Sequence, residues 1–351
     1  MVPTLTRRGA IAGLALTSLA ACSGPASAPG ISGAGASFPA PLYAKWASAY
    51  NQAGLGKVNY QSIGSGGGIK QIKSSVVDFG ATDKPLDLND LNASGLLQFP
   101  AVIGGVVPVI NLAGIKSGQV HLTGKLLGEI FLGKIKTWNA PEIAAINPGV
   151  KLPSAPITVV HRSDGSGTSF LFTTFLSFTD PAWAKAVGAS DSVNWPTGLG
   201  GKGNDGVAAF VKQTAGSIGY VEYAFAKQNS LTTTLVQNKS GKFPEPTAAA
   251  FSAAGANAPW ATARGGAVLL IDQAGDTVWP ISAATFILVP KSPTNPAKVA
   301  AALKFFDWAF KNGDEMAAKL DFVPLPERVK ATARLHWNEV QVGGTPVYSA
   351  P

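Results

Sequence analysis

The 351-residue sequence is poor in the residues that form covalent cross-links and metal sites. It contains one cysteine, three histidines and two methionines. A single cysteine excludes an intramolecular disulfide and any cysteine-based zinc or iron–sulfur site. Three histidines leave little for another kind of metal site, so we expect no cofactor. Charged residues make up only 14% of the chain, against about 25% in an average soluble domain.

Long hydrophobic runs are also scarce. No stretch beyond residue 30 reaches the ~20 apolar residues that a membrane-spanning helix needs. The chain is nevertheless 46% hydrophobic, which supplies a packed core and excludes a disordered protein. The formal net charge is +8, but the lysines are scattered rather than clustered. This distribution favours a solvated surface over a nucleic-acid interface, so we expect no nucleic-acid partner.

The first 21 residues have the pattern of an export signal. Two arginines precede an apolar run over residues 10–21, which is too short to span a bilayer. The run ends in Leu-Ala-Ala before Cys22, which resembles a bacterial lipobox; an ordinary signal peptide that contains a cysteine is the alternative. We predict a signal peptide over 1–21 and a flexible tether over 22–30. The protein is then expected on the periplasmic or cell-surface side of the plasma membrane, lipid-anchored at Cys22.

Strand and helix patterns alternate along the rest of the chain. Apolar segments at 31–37, 157–160 and 281–289 predict strands, and helix patterns lie between them. Segment 99–110 is strongly β-prone but contains glycine and proline, which indicates a bent crossing strand. The alternation predicts an α/β architecture in which helices cover the sheets.

Three glycine-rich loops share one design. Residues 33–39, 64–68 and 162–168 each follow a strand pattern, begin a helix pattern and place a serine or threonine beside glycine. The N-terminus of a helix exposes unpaired N–H groups and about half a positive charge, which favours anions. One such loop indicates only a capped helix. Three in one chain predict a converging oxyanion site.

Arg162 is the only arginine between Arg8 and Arg264. Its planar fork suits bidentate binding of a tetrahedral oxyanion. Asp164, two residues further on, is placed to orient the guanidinium. A surface ion pair is the alternative, but the position of Arg162 at a strand end, facing a glycine-rich helix start, favours the site.

Asp83 follows the predicted strand that contains Phe79-Gly80-Ala81. A carboxylate beside a bound anion is useful when the ligand carries a proton to donate. Phosphate near neutral pH carries one and sulfate does not, and a site built around one such hydrogen bond rejects the analogue that lacks it. A turn or helix-cap role before Pro85 is an equally good interpretation of the local sequence.

Long segments closely resemble the substrate-binding protein of bacterial phosphate-specific ABC transporters. They include GAGASFPAPLYAKW, YQSIGSGGGIKQI, VDFGATD and RSDGSGTSFLFTTFL, and the match covers nearly all of the chain after residue 30. The resemblance implies a two-lobed, type II periplasmic-binding-protein-like fold of the α/β class with crossing hinge strands. Lobe I would comprise 31–110 and 283–351, lobe II 111–282, and the hinge the strands near 107–113 and 280–286.

The resemblance also implies a ligand and its contacts. Inorganic phosphate would be buried between the lobes entirely by hydrogen bonds. The implied ligands are Ser37, Phe38 (through its backbone N–H), Ser65, Asp83, Arg162, Ser166, Gly167 and Thr168, with Asp164 paired to Arg162. The closed form would be recognised by the permease subunits of an ABC transporter with their ATPase, and the protein would not be an enzyme.

Other functions stay open at this point. A secreted phosphatase or hydrolase would use Ser166 as nucleophile with His161 as base, although the sequence lacks a G-x-S-x-G elbow. A binding protein for another oxyanion, or a lipid-anchored adhesion protein, is a further alternative. Residues 198–203 match the dinucleotide-binding pattern G-x-G-x-x-G, but no clear strand pattern precedes them and no suitably spaced acid follows, so we discount that function.

Overall fold

The structure is a computed structural model, and it describes residues 30–256, 258–260 and 262–351. The predicted signal peptide, the lipidation of Cys22 and nearly all of the predicted tether lie outside the described residues. None of the helices in the described ranges is long and apolar enough to cross a membrane.

Strands and helices alternate along the chain, as the sequence pattern predicts. The strands are β1 (Ile31–Gly35), β2 (Val58–Ser62), β3 (Phe79–Thr82), β4 (Leu96–Ile110), β5 (His121–Leu122), β6 (Thr158–Arg162), β7 (Leu199–Gly201), β8 (Ser217–Glu222), β9 (Thr232–Thr233), β10 (Leu235–Val236), β11 (Ser282–Pro290), β12 (Gln341–Val342) and β13 (Thr345–Pro346). The helices are α1 (Ala40–Gln52), α2 (Ser65–Lys73), α3 (Leu88–Ser94), α4 (Gly124–Phe131), α5 (Pro141–Ala145), α6 (Gly167–Thr179), α7 (Pro181–Ala186), α8 (Gly203–Gln213), α9 (Tyr223–Gln228), α10 (Ala248–Ala256), α11 (Pro296–Asn312), α12 (Asp314–Ala318) and α13 (Glu327–His336).

One curled mixed sheet organises both lobes. Its strand order is β2-β1-β3-β11-β4-β8-β6-β7, with β9 paired to β4 off this path. Strands β2, β1 and β3 are parallel at one end, and β8, β6 and β7 are parallel at the other. We call these two groups of strands, with the loops and helices that follow them, the first and the second lobe. The antiparallel pair β11 and β4 lies between them.

Strand β4 crosses from one lobe to the other. Its first part, Leu96 to Gly105, pairs with β11, and its last part, Val106 to Ile110, pairs with β8. The sequence predicts a bent crossing strand over 99–110, and the structure has a crossing strand that is continuous over 15 residues. Pro100 is accommodated because the pairing with β11 shifts register beside it, as in a β-bulge.

Aromatic packing fixes the helices of the first lobe. Helix α1 buries Tyr43, Trp46 and Tyr50. The Tyr43 ring packs edge-on against Phe306 of α11, with the two ring centroids 5.9 Å apart. The spacing of these α1 residues places them on one helix face, so the other face stays in solvent. Burial of these rings holds the N-terminus of α1, and the loop before it, against the sheet.

Candidate functional site

The predicted site residues converge where the parallel strands of both lobes end. Because the carboxyl ends of parallel strands lie at one edge, the loops after them share a crevice. The side chains of Ser37, Ser65, Asp83, Arg162, Ser166 and Thr168 belong to residues that are each at most 3% exposed. Phe38 is also fully buried. The structure thus brings together all eight residues predicted as ligands.

The first lobe supplies three short segments to the site. Ser37 and Phe38 lie between β1 and α1, Ser65 is the first residue of α2, and Asp83 directly follows β3. Gly35 makes this arrangement possible, since its φ is +148° and a Cβ there would collide with the Ala81 backbone of β3. The close approach of β1 and β3 places the Ser37 and Asp83 segments side by side.

The second lobe supplies Arg162 at the end of β6 and the N-terminus of α6. The Ser166 hydroxyl oxygen caps α6 by accepting a hydrogen bond from the Ser169 N–H at 3.0 Å. Gly167 and Thr168 form the first turn, whose N–H groups carry the positive end of the helix dipole. A Cβ on Gly167 would lie 2.5 Å from Ser65 Oγ and 2.6 Å from Asp83 Oδ2, so the first turn of α6 abuts the first lobe.

Asp164 holds Arg162 in a fixed orientation, as the two-residue spacing predicts. Arg162 Nε and Nη2 donate to the two carboxylate oxygens at 2.8 and 2.6 Å, and Nη1 donates to Thr168 Oγ1 at 3.3 Å. Burial alone would raise the pKa of Asp164, but the hydrogen bonds and charge of Arg162 outweigh it and hold that pKa below its usual value. One N–H on each terminal nitrogen of Arg162 is left for a ligand, since a guanidinium carries five.

Asp83 is the carboxylate of the site. Its Oδ1 accepts a hydrogen bond from Thr285 Oγ1 at 2.8 Å, and its backbone N–H donates to Ser65 Oγ at 3.2 Å. Burial raises the pKa of Asp83 to about 7, against the lowering effects of the Thr285 hydrogen bond, the Arg162 charge and the Ser65 hydrogen bond. Near neutral pH this carboxyl is therefore only partly ionised. Oδ2, beside Gly167, is the oxygen nearer the second lobe.

Direct contacts close the crevice between the lobes. The Gly66 N–H donates to the Gly165 carbonyl at 2.9 Å. At the rim, Lys84 Nζ lies 2.8 Å from Asp191 Oδ1, and both side chains are partly exposed. The structure therefore has the lobes in a closed arrangement, with the predicted ligands inside.

Three contributors to the site are absent from the sequence-based prediction. Asn204, at the start of α8, contacts Ser37 and Thr168. Thr285, on β11, contacts Asp83. Tyr220, on β8, accepts a hydrogen bond from the backbone N–H of Arg162. The signal for Asn204 was present, because Gly201-Lys202-Gly203-Asn204 is a fourth glycine-rich loop between a short strand and a helix. No local pattern marks Thr285 or Tyr220, since each is an ordinary strand residue.

The geometry does not favour a hydrolase with Ser166 as nucleophile. His161 Nδ1 lies 3.0 Å from the Arg162 carbonyl, and its ring stacks on Trp195 with the centroids 4.8 Å apart. Within the part of the chain that the structure describes, no hydrogen bond joins His161 to Ser166. The Ser166 hydroxyl is instead engaged as a helix cap.

Comparison with known proteins decides the family. The model of the PBP superfamily domain matches residues 20–312. A phosphate-binding protein PstS of Pasteurella multocida is 55% identical over 307 residues, covering 88% of this chain and 89% of the relative. The PstS protein of Haemophilus influenzae is 53% identical over 312 residues, covering 89% and 93%.

The chain belongs to the PstS family. A solved structure of a phosphate-binding protein from Stenotrophomonas maltophilia superposes with a TM-score of 0.68 at 21% identity, covering 92% of this chain and all of that one. The resemblance seen in the sequence and the two-lobed fold are thereby confirmed. The exact lobe boundaries and the role of each ligand residue in this PstS family member stay predictions.

Proposed function

We propose that this chain binds inorganic phosphate between its two lobes and delivers it to the permease subunits of an ABC transporter with their ATPase. The observation that carries the proposal is the buried constellation of donors around Arg162, facing the single carboxylate of Asp83. The relatives that are more than half identical are phosphate-binding proteins, which supports phosphate among the possible oxyanions.

Binding would replace the water around phosphate by fixed donors. The proposed donors are the two remaining N–H groups of Arg162, the N-terminal backbone of α6, the Phe38 N–H and the hydroxyls of Ser37, Ser65, Ser166 and Thr168. A hydrogen bond to a charged group contributes about 1.5–3 kcal/mol. Several of them offset the cost of removing a phosphate ion from water because the donors are already oriented.

Asp83 would select for a protonated anion. Its carboxylate accepts a hydrogen bond from the P–OH group of hydrogen phosphate, and it repels a fully deprotonated dianion of the same shape. Thr285 already occupies Oδ1, which leaves Oδ2 beside Gly167 as the acceptor for the ligand proton. The same tetrahedral pocket would therefore bind phosphate and reject sulfate.

Capture and release require the lobes to separate. We propose that they move about the crossing strands near 107–113 and 280–286, with lobe I formed by 31–110 and 283–351 and lobe II by 111–282. The switch of β4 partners at Gly105 and Val106 lies at the edge of this region and supports a hinge there. The predicted lipid anchor at Cys22 would keep the protein near the transporter, on the outer side of the plasma membrane.

Equilibrium dialysis with radiolabelled phosphate tests the site. We expect Arg162→Ala to weaken binding by about 2–5 kcal/mol, because it leaves Asp164 and the anion without their partner. This corresponds to roughly 30- to 5,000-fold in Kd. Arg334→Ala is the matched control, since Arg334 of α13 pairs with Asp307 of α11 in an ion pair outside the site. That variant should lose stability and keep phosphate affinity.

Two outcomes would reject the proposal. The first is an Arg162→Ala protein that is folded and binds phosphate as tightly as the unaltered protein. The second is steady turnover of a chromogenic phosphate ester that is abolished by Ser166→Ala, which would establish the hydrolase instead.

A further inference from the structure

Asn204 connects the two lobes within the proposed site. Its side-chain Nδ2 donates to Ser37 Oγ in the first lobe at 3.0 Å and to Thr168 Oγ1 in the second at 3.4 Å. Its backbone N–H also donates to Ser37 Oγ, at 3.2 Å. Asn204 is fully buried, so water does not compete for these hydrogen bonds.

These contacts use up the acceptor capacity of both hydroxyls. A hydroxyl has two lone pairs and one hydrogen. Ser37 Oγ accepts twice from Asn204, and Thr168 Oγ1 accepts from Asn204 and from Arg162 Nη1. Each hydroxyl can therefore act only as a donor toward a further partner. Within the described ranges of the chain, neither hydroxyl donates a hydrogen bond to another residue.

The orientation of the Asn204 amide is itself fixed. Its Oδ1 accepts a hydrogen bond from the Glu222 N–H at 3.0 Å, at the end of β8 where that strand pairs with Val106 of β4. A backbone N–H only donates, so the end of the amide that faces Glu222 must be the oxygen. The NH₂ end is thereby directed at the two hydroxyls.

We propose that Asn204 is a positioning residue that sets the Ser37 and Thr168 hydroxyls as donors and so makes the site selective for ligand oxygens that accept. The inference rests on the proposed oxyanion function but adds a residue that does not touch the ligand. A hydroxyl that is free to rotate can turn its lone pairs toward the anion and repel it. The Asn204 amide removes that option for Thr168 within the second lobe and, once the lobes close, for Ser37 in the first lobe.

Phosphate titration of Asn204→Leu, alone and combined with Ser37→Ala, tests the proposal. Leucine has nearly the same size but no donors. We expect Asn204→Leu to raise the phosphate Kd about ten- to a hundredfold. If Asn204 acts through Ser37, the effect of Asn204→Leu is smaller in the Ser37→Ala background, and the two fold-changes do not multiply. A role of Asn204 in the fold of α8 that is independent of Ser37 predicts fold-changes that multiply.

Asn238→Leu is the matched control. Asn238 is also a buried asparagine, and its Nδ2 donates to the carbonyls of Gly275, Asp276 and Val278 in a loop outside the site. We expect this variant to melt at a lower temperature than the unaltered protein and to keep its phosphate Kd within about twofold.

A folded Asn204→Leu protein whose Kd is also within twofold of the unaltered protein would overturn the proposal. If Asn204→Leu fails to fold, Asn204→Asp replaces it, because aspartate keeps the acceptor for Glu222 and loses both donated hydrogens. Undiminished affinity in that variant would equally overturn the role of Asn204. Failure of the unaltered protein to bind phosphate would instead reject the proposed function, so the two failures are distinguishable.

Discussion

At the scale of single residues, the site is a set of donors arranged around one carboxyl. The Arg162–Asp164 pair could be predicted because a two-residue spacing after a strand brings both side chains to one end. Asp83 could be singled out because a carboxylate is unexpected beside a bound anion unless the anion carries a proton. Thr285 could not be found in this way, since it comes from a strand 202 residues further along the chain and meets Asp83 only in the folded sheet.

Asp83→Asn should increase the stability of the protein and decrease its selectivity for phosphate over sulfate. In the native protein the pKa of Asp83 is raised to about 7, whereas in the unfolded chain it is close to 4. The native state therefore binds more protons between about pH 4 and 7, and this carboxyl lowers the free energy of unfolding as pH rises through that window, by up to about 1.4 kcal/mol per pH unit. The variant lacks this slope.

Urea unfolding without phosphate, from pH 4 to 8, measures the part of this slope that persists when the lobes separate, where Asp83 keeps its Thr285 and Ser65 partners. We expect Asp83→Asn to be the more stable protein at pH 8 and to show the flatter pH profile. Glu222, whose pKa is raised by burial and also by the Asp83 charge, contributes to both profiles, and its share of the slope is smaller in the variant. In binding assays the variant should lose a large part of the ~10⁴–10⁵-fold discrimination that a single required hydrogen bond can give against sulfate. Identical pH profiles, or unchanged selectivity, would show that Asp83 does not have this role.

At the scale of elements, strand-to-helix loops position every proposed ligand. The glycine-rich loops before α1, α2 and α6 were predicted to converge, and the structure brings them to one crevice. The fourth loop, before α8, also contributes to the site through Asn204, although its glycine pattern matches only a dinucleotide-binding motif that lacks its acidic residue. The prediction of a crossing strand over 99–110 is met by β4, in which Gly104 and Gly105 make room for the rings of Phe38 and Phe251.

Gly167→Ala should prevent the first turn of α6 from reaching the other lobe. The added methyl group would overlap Ser65 Oγ and Asp83 Oδ2, which belong to buried residues of the first lobe. Alanine favours the helix over glycine by about 1 kcal/mol, so the second lobe itself should not be destabilised. We expect phosphate affinity to fall at least a hundredfold while the unliganded melting temperature changes little.

Small-angle scattering in saturating phosphate provides the check on Gly167→Ala. The unaltered protein should become more compact with phosphate, and the variant should not. Phosphate-induced compaction of the variant equal to that of the unaltered protein would mean that α6 does not meet the first lobe on closure.

At the scale of the whole molecule, binding and closure are one event. The proposed ligand residues come from both ends of a single curled sheet, so they would surround an anion only when the lobes meet. The contacts Gly66–Gly165 and Lys84–Asp191 are made by the protein itself and add to the closed form. An exposed ion pair contributes at most about 1 kcal/mol, so the Lys84–Asp191 pair by itself does not hold the lobes together. The fold class was accessible from the alternation of strands and helices, but the pairing of β4 with partners in both lobes depends on contacts between distant parts of the chain.

Titration calorimetry of the protein with phosphate and with sulfate at pH 8 tests the central claim most directly. At this pH Asp83, with a pKa of about 7, is mostly ionised. The predicted result is saturable heat with one phosphate per chain and no saturable heat with sulfate at the same concentrations. Equal binding of both anions, or phosphate heat no different from that of dilution, would contradict a pocket in which one carboxylate tests the ligand for a proton.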